Sequence, residues 1–339
     1  MEFKKLEAKG LITINKHPEV PLFIANYTAR VQYEQLWDEA LLQCRGLIFD
    51  QHENIIARPF RKFFNLSEHQ PNEIPKEPFE VFEKMDGSLG ILYWIGDKPF
   101  IATRGSFTSE QAIEGTRILH KKYAGLFDKI NREATYLFEI IYPNNRIVVD
   151  YGNQKDLILL AVIDNKTGKD LPLPDIGFRL VNRYFDINDV KELVALEVDN
   201  KEGFVVRFQS GFRVKVKFAE YIRLHKIVTQ VSSKMVWEYL KEGKSMDALL
   251  EEIPDELYDW VKTTKGDLIR QFEEIAKKAE EALEDILADL PEGFSDKDFA
   301  LKVVGHECTP LLFSLYKGKD ISDRVWRMIK PEFEKPFSV

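Results

Sequence analysis

The residues best suited to chemistry begin with Lys84, set in the stretch Phe82-Glu83-Lys84-Met85-Asp86-Gly87-Ser88-Leu89-Gly90. A free lysine, with a pKa of roughly 10.4, is a poor nucleophile at neutral pH. Burial or a second nearby cation favours the neutral amine and lets it attack an electrophile. Further along lie carboxylates in strand-like settings, Glu139 and Glu202, and cations at Arg45, Lys62, Arg104, Lys215 and Lys217. A lysine with cations and a metal-binding carboxylate suits attack on the α-phosphate of a nucleotide, where cations and metal neutralise charge on the transferring and leaving phosphates. Schiff-base chemistry needs fewer phosphate-directed cations. The chain has no Gly-x-x-x-x-Gly-Lys-Ser/Thr loop, which disfavours a P-loop ATPase.

These residues need elements to hold them. Val81-Phe82 leads into the lysine, Asp86-Gly87 carries turn chemistry, and Leu89 to Ile95 reads as the next strand, so the lysine stretch reads as a hairpin. Leu47 to Asp50, Pro99 to Thr103, Thr135 to Tyr142 and Leu157 to Ile163 read as further strands, with Glu139 the single charge in its run. Thr108 to Tyr123 reads as a helix capped by Thr108 or Ser109, with Ala112, Ile113, Ile118 and Leu119 on its apolar side. Residues 201 to 218 read as a second hairpin. In it Val214, Val216 and Phe218 alternate with Arg213, Lys215 and Lys217. If the charged face lines a cleft, Lys215 and Lys217 stand about 6 to 7 Å apart and suit a polyphosphate; if it faces water, this is an amphipathic edge strand. Arg61-Lys62-Phe63-Phe64 admits a similar pair of readings, a solvated edge with core rings or a phosphate clamp beside a stacking platform.

From about Lys241 the chain turns helical and acidic. Helices are expected at Met246 to Glu252, at Asp255 to about Leu287 with a break near Gly266, from Ser295, and at Ile321 to Ile329. This sets the expected boundary, residues 1–242 against 243–339. The net charge of −8 lies wholly in the tail: residues 1–240 hold 33 basic and 33 acidic side chains, and 241–339 hold 15 and 23. Between Lys201 and Leu240 the balance is eight basic to three acidic, so a local basic groove is compatible with the acidic total. Two cysteines and six scattered histidines give neither a disulfide framework nor a zinc quartet, so any metal is expected on oxygen ligands. No apolar run approaches the roughly 20 residues that span a bilayer, and the first residues lack a signal-peptide core. A cytoplasmic protein with no membrane partner is expected.

The ordered set resembles the covalent lysyl nucleotidyltransferases, and among them the RNA ligase 1 family of phage T4 and its relatives. Lys84-Met85-Asp86-Gly87-Ser88 is similar to motif I, and Phe138-Glu139 with Pro143-x-Asn145-Arg146 to motif III and its extension. Glu202-Gly203-Phe204-Val205 is similar to motif IV, and Val214-Lys215-Val216-Lys217 to motif V. Arg45-Gly46 and Lys62-Phe63-Phe64-Asn65 resemble the family's upstream elements. The resemblance covers about two thirds of the chain.

It implies an α+β nucleotidyltransferase domain of antiparallel sheets with flanking helices, then an all-α C-terminal domain. It implies ATP and Mg2+ or Mn2+ as cofactors, and an ATP-dependent RNA ligase that joins 5′-phosphate and 3′-hydroxyl ends, including those of nicked tRNA, in RNA repair. Lys84 would carry AMP, with Asp86 orienting it or a metal-bound water. Glu139 and Gly87 would contact the nucleotide, and Lys215 and Lys217 would hold phosphates. Arg45 and Lys62 would face the β and γ phosphates or the RNA end, with Phe64 packing by the nucleotide. Glu202 and Asp247 would serve the metal; Asp247 is followed by Ala248 where relatives carry an acidic pair. Arg104 stands where a lysine is common. A monomer is expected, in the cytoplasm of a cell or of a phage's host. The alternatives are a DNA ligase or capping enzyme of the same fold, or an RNA-binding module without catalysis.

Overall fold

The computed structural model describes residues 3–185, 187–229, 231–252 and 258–332. The chain has an α+β fold and divides into two units, Met1–Val228 and Thr229–Val339. That division falls ahead of the boundary expected at 242, because the helix Ser233–Lys241, capped by Ser232, packs with the tail helices.

The first unit contains three sheets, and nearly all their pairings are antiparallel. Ile12–Lys16, Leu22–Tyr27, Arg45–Asp50 and Ile55–Ala57 form a four-stranded sheet in chain order. A six-stranded sheet runs Asp170–Leu171, Asp156–Asp164, Ala134–Ile141, Ser88–Ile95 and Lys98–Ala102, with Arg179–Leu180 added in parallel to Asp156–Asp164. A five-stranded sheet runs Arg183–Tyr184, Phe79–Lys84, Gly203–Phe208, Arg213–Lys217 and Phe64–Asn65, the last pair parallel.

Lys84 does not sit in a hairpin. Phe79–Lys84 and Ser88–Ile95 belong to different sheets, so the turn at Asp86-Gly87 carries the chain from the five-stranded sheet to the six-stranded one. Gly87 allows the crossing because a Cβ there would come within 2.7 Å of the Ile140 carbonyl oxygen and 3.1 Å of Glu139 Cγ. The local Lys-x-Asp-Gly pattern reads as a tight turn in either case; which strand the chain meets next is decided by burial of the apolar run that follows.

Two cores hold this switch in place. Phe204, Val206, Val214 and Val216 bury one face of the five-stranded sheet together with Val81, Phe218 and Tyr221. Phe82 on the opposite face meets Ile141, Ile158 and Val181 of the six-stranded sheet and its connection. The strand Ala134–Ile141 is buried along its whole length, as expected of an apolar run covered on both faces. Each of its large apolar side chains is worth about 1.5–3 kcal/mol. The helix Glu110–Tyr123, capped by Ser109, covers this sheet with Ile118 and Leu119, while Ile113 faces solvent.

In the second unit the helix Tyr258–Ala288 runs unbroken through Gly266, and its expected start at 255 lies outside the described residues. Around it pack the helices Asp296–Val303, Thr309–Tyr316 and Ser322–Met328, over a core containing Phe299, Leu311, Leu312 and Val325. Among the described residues no helix is long and apolar enough to cross a membrane.

Candidate active site

Strand register sets Lys84, Gly203 and Lys217 side by side across three strands. Directly opposed residues share a face of a sheet, so the two lysines project the same way, separated by a residue with no side chain. Gly203 has φ +149°, and a Cβ there would lie 2.0 Å from the Val216 carbonyl oxygen, so the position admits only glycine. Glu202, next to it, is buried, and its carboxylate accepts from Lys84 Nζ at 2.7 Å and from Lys217 Nζ at 3.3 Å. One carboxylate therefore holds both ammonium groups.

The next row on this face brings Phe82, Val205, Lys215 and Asn65 into register. The strand of Lys215 is paired on both sides and Lys215 is buried. The charged face of the second hairpin thus lines the cleft between sheets and is not a solvated edge.

Glu139 reaches this group from the six-stranded sheet, opposite Leu89. Burial pushes its carboxyl up to about 8 from an ordinary 4.5, opposed by the Lys84 charge and by a backbone hydrogen bond from Gly87, and reinforced by Glu202 and Asp86. A carboxyl in this state is a proton holder near neutrality.

Asp86 is buried, and its carboxylate is fully engaged. Oδ2 accepts from the backbone N–H groups of Val148 and Val149, each at 2.8 Å, and Oδ1 accepts from the Tyr221 hydroxyl at 2.8 Å. The Asp86 N–H donates to the Tyr151 hydroxyl at 2.9 Å. These bonds tie the lysine turn to the segment after Glu139 and to the helix Ala219–Thr229, which gives Asp86 the geometry of a positioning residue. Asn145 adds a further tie: its Nδ2 donates to the Ile140 carbonyl, and its Oδ1 accepts from Ser88 Oγ.

The remaining expected cations each stand against an aromatic ring. Lys62 is buried, donates to Gln32 Oε1 at 2.8 Å, and stands 5.3 Å from the Phe64 ring centre and 5.7 Å from those of Tyr27 and Trp37. Arg104 lies over the same Tyr27 ring at 5.7 Å, and Arg45 over Phe63 at 5.8 Å. Phe64 packs on Trp37 and His69. Rings around cations fix the cations' positions while leaving their charge available. Asp247 lies exposed in the first turn of Met246–Glu252, in the second unit.

Tyr221, Tyr27, Trp37 and Gln32 were not legible as site residues, since nothing in the spacing of a neutral side chain sets it apart from the core. The one signal was the position of Tyr221, four residues beyond Lys217 and at the start of a helix that follows a charged strand.

A profile of the RNA ligase family, of the phage T4 RNA ligase 1 type, matches residues 43–221. A protein of Autographa californica nuclear polyhedrosis virus, provisionally named a bifunctional polynucleotide kinase/RNA ligase, is 28% identical over 66% of this chain and 36% of its own. One from Thermovibrio ammonificans, provisionally named an RNA ligase, is 29% identical over 66% of this chain and 62% of its own. The chain thus spans between about a third and under two thirds of those two relatives. An RNA ligase of Rhodothermus phage RM378 is 23% identical and matches 94% of this chain and 89% of that one. Among solved structures, a Naegleria gruberi RNA ligase with PPi gives a TM-score of 0.40 at 19% identity, over 49% of this chain and 57% of that one.

Proposed function

Since the chain belongs to the RNA ligase family, we propose that it is an ATP-dependent RNA ligase that uses Lys84 as its nucleophile. The observation that carries the reading is the bridge from Lys84 and Lys217 to Glu202, with Glu139 in electrostatic reach. Glu202 is the acceptor beside the ammonium, and so the group that holds the Lys84 proton as Nζ becomes a nucleophile. Nζ attacks the α-phosphorus of ATP; the N–P bond forms, the P–O bond to pyrophosphate breaks, and pyrophosphate leaves with the electron pair. An oxygen of an RNA 5′-phosphate then displaces the lysine, and a 3′-hydroxyl displaces AMP to close the strand.

Lys215 and Lys217 would hold the phosphates being transferred, and Arg45 and Lys62 the leaving pyrophosphate or the RNA end. Asp86, through its bonds to Val148, Val149 and Tyr221, keeps the lysine turn in place while charge moves. The Glu202 carboxylate is a hard oxygen donor that fits a divalent cation such as Mg2+ or Mn2+, and Glu139 becomes a second such donor only on losing its proton. Among the described residues no group of three or more acidic, histidine or cysteine side chains forms a protein cage. That suits a cation which keeps waters and shares the oxygens of phosphates. When bound, it neutralises phosphate charge.

The reading places the enzyme in RNA repair, with broken tRNA among its substrates, as a cytoplasmic monomer. It is tested by incubating the full chain with ATP, magnesium and a 5′-phosphorylated single-stranded RNA. Phosphatase-resistant circles or joined strands are expected, and none from RNA lacking the 5′-phosphate. Joining of DNA but not RNA would overturn it.

A further inference from the structure

Beside the lysine site the first unit holds an open cavity of about 1550 Å³, whose lining includes Lys62 and Phe64 but otherwise consists of residues that none of the roles above uses. Its walls come from the five-stranded sheet through Glu80, Phe82, Arg207 and Arg213, from the six-stranded sheet and its turns, and from the stretch 58–64. Phe82 lies two residues before Lys84 on the same face of the strand, about 7 Å along it, so the cavity opens on the face of the sheet that carries the nucleophile.

Charge shows what such an occupant carries. Seven cations line the cavity against three carboxylates, Glu39, Glu80 and Asp170. Those three are shared among arginines: Glu80 pairs with Arg183 and Arg207, Asp170 with Arg207 and Arg213, and Glu39 with Arg61. Arg58 hydrogen-bonds to the neutral Gln43 side chain and the Asn165 carbonyl, and Lys169 is exposed at the rim. A cation excess gathered between sheets is a cost that an anionic ligand relieves.

Shape and chemistry narrow the anion. The volume exceeds the roughly 300–1,000 Å³ of small-molecule pockets, so one nucleotide or a pyrophosphate leaves most of it empty. Phenylalanine rings share the walls with the cations: Arg213 lies 4.9 Å from the Phe60 ring centre, Arg207 5.2 Å from that of Phe82, and Phe60 stands edge-on to Phe63. Cations beside ring faces are the arrangement that takes unpaired bases and their phosphates together.

We propose that this cavity holds several nucleotides of single-stranded RNA next to the end being joined. The proposal rests on the ligase reading and extends it from the reacting phosphate to the strand that carries it.

The test uses the full chain with both Arg61 and Lys169, exposed rim residues, reversed in charge (R61E/K169E). Binding of a fluorescein-labelled, 5′-phosphorylated RNA 12-mer is followed by anisotropy over a salt series, and labelling by ATP is measured alongside. The expected result is RNA binding weakened about tenfold or more, and a salt slope smaller by about 1.4, from two phosphate contacts at roughly 0.7 each. ATP labelling should be unchanged. A 12-mer carrying 4-thiouridine near its 5′ end should cross-link to the cavity walls. Unchanged RNA affinity and slope, cross-links elsewhere, or weakened ATP labelling with RNA binding intact would each overturn the proposal. Failure of the ligase reading shows separately, as absence of ATP labelling in the wild type, because the anisotropy arm needs no catalysis.

Discussion

The most consequential residue after Lys84 is Glu139, the one charge in a wholly buried strand. With its carboxyl raised to about 8, the folded chain keeps a proton that the unfolded chain sheds near 4.5. Stability of the protein without nucleotide or metal therefore falls as pH rises from about 4.5 to about 8, by about 1.4 kcal/mol per unit from this group, and levels above that. Glu139→Gln, which carries no titrating proton, removes that part of the slope. Urea denaturation of both proteins at half-unit pH steps measures it, and the variant should be the more stable near pH 8; parallel curves would show that Glu139 titrates as an ordinary surface acid. Asp86 teaches a different lesson. The resemblance implies that it orients Lys84 or a metal-bound water, and its carboxylate is occupied by two backbone N–H groups and a tyrosine hydroxyl, all from chain segments 62 or more residues away. Sequence gives a carboxylate's presence in a motif and not its partners.

At the scale of elements, the site depends on three strands whose register sets Lys84, Gly203 and Lys217 in one row. Gly203→Ala puts a methyl into the Val216 carbonyl at a left-handed φ, and should destabilise the first unit by more than about 1 kcal/mol, read as a lower unfolding midpoint in urea. Its activity should drop as well, since the shift moves Glu202 off both lysines. Wild-type stability and activity would mean the strand relaxes at no cost. Much of this sheet was legible. The alternation of Val214, Val216 and Phe218 with Arg213, Lys215 and Lys217 marked a two-faced strand, and the apolar run around Glu139 marked a buried one. What alternation lacks is the identity of the neighbouring strand. The lysine stretch therefore read as a hairpin when it in fact crosses between sheets, and the parallel partner Phe64–Asn65, two residues long, carried too little pattern to be seen. The helices Ala219–Thr229, Ser233–Lys241 and Thr309–Tyr316 went unread, although Gly243 and Gly318, both at positive φ, stand just past the ends of the last two.

For the whole molecule, composition pointed away from nucleic acid, and the resolution lies in how charge is distributed. The acidic excess belongs to the tail, while the first unit presents lysines and arginines inward, along the cleft and its cavity. The two units have separate cores, so they should be separable in function. A chain ending at Val228 should still form the lysine adduct with ATP at close to the full-length rate, while its preference among RNA ends, measured with competing linear and nicked-loop RNAs, should broaden. Unchanged preference would remove the second unit from substrate choice. The central claim is covalent capture of AMP by Lys84, and one measurement addresses it directly: incubation with ATP labelled at the α-phosphate and magnesium, then denaturing electrophoresis, beside Lys84→Ala. Label should survive denaturation in the wild type, map to Lys84, be absent from the variant, and be released by 5′-phosphorylated RNA. Absence of label from folded wild-type protein that carries no AMP beforehand, or label retained in Lys84→Ala, would contradict it.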